Sequence, residues 1–162
     1  MNHFSKSKGI ISAEQLVTYN FKKGGSWVKS DERLLFIQDN EVVEHQSSPK
    51  VYLWLCIREN EIEVIYVGKT RYDLKKRMNQ HRQGFKGKRN NGSISGSKKF
   101  QSLKSLINEG LEIQVWYRTA EIVPIQINAI EYTEMSNFSV EEEFFIHHFE
   151  PILNDHHTQV KP

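Results

Sequence analysis

Residues 64–81 read VIYVGKTRYDLKKRMNQH, and this stretch decides which fold the chain is expected to have. Its first part is rich in β-branched residues and stops at Gly68, which is typical of a buried strand. The rest is typical of a helix whose few apolar residues recur at a spacing of four. Arg77 and His81 share that spacing, so both side chains are expected on one face of the helix. The stretch therefore predicts a strand followed by a helix that presents an arginine–histidine pair.

The size and composition of the chain indicate one globular domain. Its 162 residues suffice to bury one core, and no window approaches the ~18 consecutive apolar residues of a membrane-spanning helix. The first residues lack the apolar segment of a secretory signal. Cys56, the only cysteine, lies in the apolar run VYLWLCI, which favours a buried thiol over a reactive one. We therefore expect a cytoplasmic protein that does not interact with membranes.

The net charge of +2 conceals a strong segregation of charge along the chain. Between Lys69 and Lys104 there are twelve lysines and arginines and one acidic residue, Asp73, whereas the rest of the chain has ten basic and nineteen acidic residues. Clustered cations displace counterions from phosphates, so this segment indicates a polyanionic partner. A solvated surface helix is the alternative explanation of such a charge run.

Hydrophobic periodicity predicts an α+β fold, with a small, three-stranded, mainly antiparallel sheet flanked by helices. The predicted strands are residues 51–57, 62–68 and 111–118, and the predicted helices are residues 72–83, 98–110 and 139–154. Because only the polar turn RENE separates the first two strands, they are expected to pair as a hairpin. Pro151 is expected to end the last helix.

The remaining segments are expected to surround this core. Residues 1–48 are interpreted as an N-terminal extension and residues 49–162 as the main domain. The other predicted features are a short helix at 11–20 capped by Ser12, a turn or flexible segment at 21–27, two short strands around Asp39-Asn40 within 34–45, and a mobile loop at 84–97. Residues 122–137 are assigned to no element.

Gly68-Lys69-Thr70 matches the end of a phosphate-binding loop of the form GxxxxGK[ST]. That loop requires another glycine at position 63, where this chain has Glu63. Strand residues also fill the place in which a cradle of backbone amides would have to form. A nucleotide-binding loop is therefore rejected.

A better explanation of the opening stretch combines it with the C-terminal region. The chain has a YVG tripeptide, an arginine nine residues after its glycine and a histidine four residues later. Near the C-terminus, a glutamate is followed by isoleucine, proline and asparagine at intervals of four, nine and twelve. This ordered pattern resembles the GIY-YIG nuclease superfamily. The residues that carry it are Tyr66-Val67-Gly68, Arg77, His81, Glu142, Ile146, Pro151 and Asn154.

The first signature tripeptide of the superfamily is degraded in this chain. It is expected on the strand before YVG, and the candidate is Lys50-Val51-Tyr52, where lysine and valine replace glycine and isoleucine. The resemblance covers roughly residues 50–155. Within the superfamily, YVGKT followed by LKKR and a basic loop looks most like compact type II restriction endonucleases and small phage endonucleases that degrade host DNA. The resemblance therefore implies a bacterial or phage context.

The resemblance implies a divalent-metal-dependent deoxyribonuclease that uses Mg²⁺ or Mn²⁺. Tyr52 would be the general base, and Tyr66 would line the same site. Glu142 would hold the metal, because Mg²⁺ is commonly bound by one or two carboxylates together with water and phosphate oxygens. The other implied site residues are Lys69, which would touch phosphate or lower a tyrosine pKa, Arg77 as the phosphate partner, His81 as the proton partner, Asn154 as an orienter of the site, and Gly68 and Pro151 as structural parts of the motif.

Some of these residues have structural alternatives. Ser139 and Glu142 have the spacing of a helix capping box, in which the glutamate would serve its own helix. Glu141 and Glu143 compete with Glu142 for the metal, and only the intervals to the later motif residues select Glu142. Adjacent histidines, which suggest zinc, point about 100° apart on a helix, and no cysteine completes a site. The histidines interpreted instead as surface residues are His147, His148, His156 and His157.

Double-stranded DNA is the expected substrate. The basic residues expected to contact it are Lys75, Lys76, Arg82, Lys86, Lys88, Arg89, Lys98 and Lys99. Cutting both strands with one small active site calls for two copies, so a homodimer or homotetramer is expected. Two other functions stay open, namely a catalytically silent nucleic-acid-binding module and a structure-specific nuclease that acts on branched DNA. The presence of both Arg77 and Glu142 favours an enzyme.

Overall fold

The computed structural model describes residues 9–39, 48–90 and 92–154. Its strands are β1 (Ile10–Ile11), β2 (Lys22–Ser30), β3 (Arg33–Gln38), β4 (Lys50–Ile57), β5 (Ile62–Thr70), β6 (Glu112–Thr119), β7 (Ile122–Ile127) and β8 (Ile130–Ser136). Its helices are α1 (Ala13–Thr18), α2 (Leu74–Gly84), α3 (Ile94–Asn108) and α4 (Phe138–Phe149), with a short 3-10 turn at Lys88–Asn90. These elements confirm the predicted α+β class. None of the helices described here is long and apolar enough to cross a membrane.

The main sheet has six strands, so the predicted three-stranded sheet is wrong. The strand order is β1-β5-β4-β6-β2-β3, and all neighbours are antiparallel. The three predicted strands form its centre as β5, β4 and β6. The other three come from residues 10–38, which belong to the predicted N-terminal extension. β1 and β2 escaped prediction because β1 is very short and β2 is interrupted by glycine, whereas β3 was predicted as a short strand but not as part of this sheet. The boundary at residue 48 stays a prediction.

Residues 21–27, predicted to be a turn or flexible segment, form most of β2. The Gly24-Gly25 pair suggested a turn, but in the structure it allows close packing within a strand. A Cβ atom on Gly24 would lie only 2.2 Å from Cδ2 of Leu74, the first residue of α2. Trp27, which is 2% exposed, anchors the same strand in the core. Gly24 therefore allows α2 to approach the sheet, whereas Gly25 leaves room for β3.

Other segments differ from their predictions to smaller degrees. β7 and β8 form a separate two-stranded antiparallel sheet in the segment to which no element was assigned. The predicted loop at 84–97 is shorter than expected, because it contains the 3-10 turn and the beginning of α3. Of the two strands expected within 34–45, the first is confirmed as β3, and residues 40–47 lie outside the described residues. Ser12 caps α1 as predicted.

The central strand β4 is buried on both faces of the sheet. Successive side chains of a strand point to opposite faces. Tyr52 and Trp54 therefore pack under α2 and α3, whereas Leu53 and Leu55 pack against α1 and α4. All four residues are 0% exposed. This double burial explains why the strand is a continuous apolar run, and the face under α2 carries the candidate site.

Candidate active site

Tyr52, Arg77 and His81 meet beneath α2. The Tyr52 hydroxyl lies 2.6 Å from Nε2 of His81, and Arg77 Nε donates a hydrogen bond to the same hydroxyl at 3.1 Å. β4 supplies the tyrosine, and successive turns of α2 supply the other two residues. The spacing of four residues places Arg77 and His81 on the same face of the helix. The structure thus brings three of the predicted site residues together, including the tyrosine of the degraded first signature.

Gly68 makes room for the Tyr52 ring. The two residues pair across β4 and β5, and a Cβ atom at position 68 would lie 2.4 Å from the Tyr52 hydroxyl oxygen. That distance is far inside van der Waals contact, so a side chain here would push the hydroxyl away from Arg77 and His81. The glycine of the YVG tripeptide is therefore required by the position of the tyrosine.

Burial determines the protonation states in this cluster. It raises the pKa of Tyr52 well above the usual 10, and the charge of Arg77 offsets this only in part. Burial also lowers the pKa of His81 well below 6.5, and the charges of Arg77 and Lys99 lower it further. At neutral pH, His81 is therefore a neutral imidazole and Tyr52 a phenol. The Tyr52 hydroxyl accepts from Arg77, and with the Nδ1–H tautomer of the neutral imidazole it donates its own proton to Nε2 of His81.

Tyr66 lines the same site. Its ring centroid lies 6.1 Å from that of Tyr52, and Nζ of Lys99 lies 4.5 Å from the Tyr66 ring centroid. Trp54 packs against both residues from the same face of the sheet, with its ring centroid 4.6 Å from that of Tyr66 and 4.8 Å from that of His81. The sequence reasoning missed Trp54, although its spacing of two from Tyr52 along a strand puts both on one face. Lys99, expected to contact DNA, is half-buried against Tyr66.

Glu142 reaches the site from α4. Its Oε2 lies 2.9 Å from Nζ of Lys69, and Lys69 also donates a hydrogen bond to Oγ of Ser139 at 3.1 Å. The Glu142 side chain is 15% exposed, and its charge acts on both Tyr66 and Arg77. The carboxylate therefore lies beside the tyrosine cluster, which consists of Tyr52 and Tyr66 with Arg77 and His81. The sequence reasoning considered Ser139 only as a helix cap and missed it as a partner of Lys69.

The alternatives to Glu142 have other surroundings. Oε1 of Glu141 lies 2.8 Å from Nε of Arg118, and its Oε2 accepts a backbone hydrogen bond at 2.8 Å. Glu143 is exposed. The capping box is not formed, because α4 begins at Phe138 and its cap residue makes no side-chain hydrogen bond. Among these three glutamates, Glu142 is the one that faces the tyrosine cluster.

A divalent metal fits this arrangement through Glu142. Within the described ranges, no group of three or more His, Cys, Asp or Glu side chains is placed to hold a metal ion. A single carboxylate nevertheless suits Mg²⁺, which takes one or two carboxylates and completes its shell with water and phosphate oxygens. The Lys69 ammonium against Oε2 shows that a cation is accommodated at this position. The residues present therefore fit Mg²⁺ or Mn²⁺ held by Glu142.

Asn154 fastens the C-terminal segment to β5. Its side-chain amide accepts a hydrogen bond from the Val67 N–H at 2.9 Å and donates one to the Val67 carbonyl at 2.8 Å. Val67 directly precedes Gly68, so this clamp positions the part of β5 next to the Tyr52 ring. Pro151 is buried and follows Glu150, whose φ of 47° ends α4. The geometry of Asn154 fits a positioning role.

The basic residues expected to contact DNA lie on α2, on α3 and in the segment between them. The exposed members are Lys75, Lys76, Arg82, Lys86, Arg89 and Lys98, and nothing is described for the Lys88 side chain. His147 and His148 are exposed on α4, and His148 stacks on Phe144 with ring centroids 5.6 Å apart. Residues 156–157, the other histidine pair, lie outside the described residues.

The chain is similar to a known protein family in sequence and to solved structures in fold. Residues 49–112 match the model of the GIY-YIG catalytic domain. A mutant of bacteriophage T4 EndoII has a similar fold, with 21% identity, a TM-score of 0.62, and coverage of 87% of this chain and 96% of that one. Restriction endonuclease HPY188I, solved in complex with product DNA, has 17% identity, a TM-score of 0.52, and coverage of 97% and 89%. No curated protein matches the chain in sequence.

The matched segment contains four of the residues that meet in the site. These are Tyr52, Tyr66, Arg77 and His81, and Gly68 lies among them. Glu142 and Asn154 join them from outside the segment, through α4 and the residues that follow it. Residues 49–112 are therefore similar to a GIY-YIG catalytic domain, and the chain is similar in fold to the two solved structures.

Proposed function

We propose that the chain is a divalent-metal-dependent DNA endonuclease of the restriction-like or DNA-degrading kind. The observation that carries this proposal is the hydrogen-bonded cluster of Tyr52, Arg77 and His81 beside the Glu142 carboxylate. Two nucleases of similar fold support it, and one of them was solved with product DNA. Each residue of the cluster has a task in phosphodiester hydrolysis.

Tyr52 acts as a proton relay in this proposal. Because burial keeps its pKa high, the resting site contains a phenol and no phenolate. When a water molecule attacks phosphorus, one water proton passes to the Tyr52 oxygen while the Tyr52 proton passes to Nε2 of His81. The hydroxide oxygen forms the new P–O bond, tyrosine stays neutral, and histidine ends as an imidazolium. The hydrogen bond of 2.6 Å between Tyr52 and His81 is short enough for this transfer.

Positive charge in the site stabilises the phosphoryl oxygens. Arg77 is fixed by hydrogen bonds to Tyr52 at 3.1 Å and to Oε1 of Gln80 at 3.0 Å, so its guanidinium is held in place before substrate arrives. Mg²⁺ or Mn²⁺ held by Glu142 would supply a second positive charge at these oxygens and at the leaving oxygen. The old P–O bond then breaks, and its electron pair stays on the leaving oxygen.

The substrate proposed here is double-stranded DNA. Exposed lysines and arginines on α2, on α3 and in the segment between them form a basic surface on the elements next to the site. Such contacts provide affinity without reading sequence. Cleavage of both strands favours a homodimer or homotetramer, and sedimentation with and without DNA tests this point. A monomer in both conditions would contradict the oligomer.

Supercoiled plasmid incubated with Mg²⁺ tests the activity. The wild type is compared with Glu142→Ala and Arg77→Ala, and Glu143→Ala is the matched control because that carboxylate is exposed. We expect cleavage by the wild type and by the control, and loss of cleavage in the other two variants. A branched substrate of the same sequence separates a structure-specific nuclease. Equal binding of intact plasmid by all four proteins would instead identify a silent binding module.

A further inference from the structure

Lys69 forms an ion pair with Glu142, the carboxylate that the proposed metal requires. Its side chain crosses from β5 to α4, where Nζ lies 2.9 Å from Oε2 of Glu142 and donates to Ser139 Oγ at 3.1 Å. Nζ also lies 5.6 Å from the ring centroid of Phe138, in a cation–π contact. Three groups of α4 therefore hold one ammonium ion at the position where a metal ion would bind.

The other two glutamates of this helix do not replace Glu142 in that role. Glu141 lies 2.8 Å from Arg118, and Glu143 is exposed. An ammonium and a divalent cation repel each other strongly at contact distance, so they compete for the Glu142 carboxylate. A single carboxylate binds Mg²⁺ weakly, because this ion gives up its water reluctantly. In the absence of DNA, Lys69 is therefore an effective competitor of the metal.

A DNA phosphate offers Lys69 a better partner. Its side chain is 38% exposed, and lysine is a compact charge on a flexible stem that binds phosphate well. Glu142, the partner of Lys69, acts electrostatically on Arg77, so a phosphate held by Arg77 comes within reach of the flexible lysine. The same phosphate brings oxygen ligands for the metal. Transfer of Lys69 to the phosphate would thus free Glu142 to hold a metal ion when DNA is bound.

We propose that Lys69 couples metal binding to DNA binding, by pairing with Glu142 in the free enzyme and with phosphate in the complex. This inference rests on the proposed function, since it requires a metal on Glu142. Coupling between two ligands is reciprocal, so DNA strengthens metal binding by the factor by which metal strengthens DNA binding. Part of that factor comes from the phosphate ligands, and the rest comes from Lys69.

Titration of Mn²⁺, followed by the electron paramagnetic resonance signal of the free ion, measures this coupling. All proteins carry Tyr52→Phe, so that a short duplex is not consumed, and they are titrated with and without the duplex. Lys69→Met keeps most of the side-chain length without the charge. Lys75→Met, on the exposed surface of α2, is the matched control for loss of one lysine.

We expect Lys69→Met to bind Mn²⁺ about fivefold more tightly than its parent in the absence of DNA, as loss of a partly exposed ion pair implies. With duplex bound, the difference should fall below twofold, and Lys75→Met should show no difference in either condition. Unchanged or weaker Mn²⁺ binding by Lys69→Met, or a gain that persists on DNA, would overturn the coupling alone. If Glu142→Ala binds Mn²⁺ as tightly as the parent, the metal site of the proposed function fails as well.

Discussion

At the scale of single residues, the proposed chemistry centres on a buried tyrosine hydroxyl that contacts an imidazole and a guanidinium. Burial acts in opposite directions on the two titratable partners, raising the pKa of Tyr52 and lowering that of His81. Both effects favour the neutral forms. Tyr52 and His81 are therefore suited to pass a proton along a preformed hydrogen bond, and neither of them is charged in the resting site.

Removal of the Tyr52 hydroxyl should abolish most of the activity. We expect Tyr52→Phe to lower the single-turnover cleavage rate by a factor of at least about 100, the usual contribution of a positioned proton-transfer group. DNA affinity, measured by fluorescence anisotropy, should not change. Tyr66→Phe is the comparison, because this ring lines the site while Tyr52 accepts the Arg77 hydrogen bond. A larger loss of rate in Tyr66→Phe than in Tyr52→Phe would show that the relay was assigned to the wrong tyrosine.

A methyl group at position 68 should lower the activity by displacing the Tyr52 hydroxyl. In Gly68→Ala, the new Cβ would lie 2.4 Å from the Tyr52 hydroxyl oxygen, so the ring must move. We expect at least a tenfold loss of rate and a decrease of about 1–3 kcal/mol in the free energy of unfolding. Gly84→Ala is the control, since its nearest neighbour would lie 3.6 Å away. Full activity in Gly68→Ala would show that the ring position is unimportant.

The low pKa of His81 predicts how rate and stability depend on pH. In the proposed relay neutral His81 accepts the Tyr52 proton, so the acid limb of the single-turnover rate should lie well below pH 6.5. In the unfolded chain this histidine has an ordinary pKa, so the unfolded state binds more protons as the pH falls below about 6.5. The free energy of unfolding should therefore decrease from that pH downwards. Denaturant titrations between pH 4.5 and 7.5, the planned range, should show a weaker decrease in His81→Gln than in the wild type.

At the scale of elements, α4 must present Glu142 without help from a side-chain cap. The Arg118–Glu141 pair ties the first turns of the helix to β6, with both side chains 11% exposed. Arg118 also donates a hydrogen bond to the backbone carbonyl of Tyr19 at 2.8 Å. Tyr19 caps the C-terminus of α1, so the same arginine links α1 to α4. The position of Glu142 therefore depends on its neighbour in sequence.

Loss of this ion pair should destabilise the fold. We expect Glu141→Ala to lower the free energy of unfolding by about 3 kcal/mol, because it leaves Arg118 almost buried without its carboxylate. Glu121→Ala is the matched control, since its side chain is 70% exposed and lies 3.7 Å from the same arginine. This control should change stability by less than about 0.5 kcal/mol. Urea titrations give both values, and equal effects would show that the pair does not anchor the helix.

At the scale of the whole molecule, charge is divided between a basic segment and an acidic remainder. The basic segment forms α2, α3 and their connection, and six of its cations are exposed as predicted DNA contacts. The acidic residues elsewhere limit how much of the surface attracts phosphate. Binding of DNA is therefore expected on one side of the molecule.

The affinity for DNA should depend steeply on salt. We expect the double variant Lys75→Ala/Lys76→Ala to reduce the slope of log K against log salt concentration by about 2, since each phosphate contact contributes about 0.9. The control is Lys22→Ala/Lys29→Ala, which removes two exposed lysines from β2, outside the basic segment. Anisotropy titrations between 50 and 300 mM salt, the planned range, measure the slopes. Equal slopes for the two double variants would place the DNA elsewhere.

Local patterns in the sequence were enough to predict the centre of this molecule. β4, β5, β6 and α2 follow from short-range periodicity, and the spacing of Arg77 and His81 follows from the pitch of a helix. The ordered intervals around YVG and Glu142 pointed to the superfamily, because a motif read along the chain requires no knowledge of packing. Each of these inferences depends on residues that are close in sequence or at a fixed interval.

Only the tertiary structure decided which strands are neighbours in the sheet. β2 pairs with β6, as in Lys22 opposite Tyr117, and nothing local to either strand indicates a partner more than ninety residues away. The Gly24-Gly25 pair looked like a turn because the close approach of Leu74 to Gly24 involves a distant element, α2. The ion pair of Lys69 with Glu142 is equally non-local. Sequence determined the central strands, the helix α2 and the motif, whereas long-range packing decided the outer strands, the strand order and the partners of the site residues.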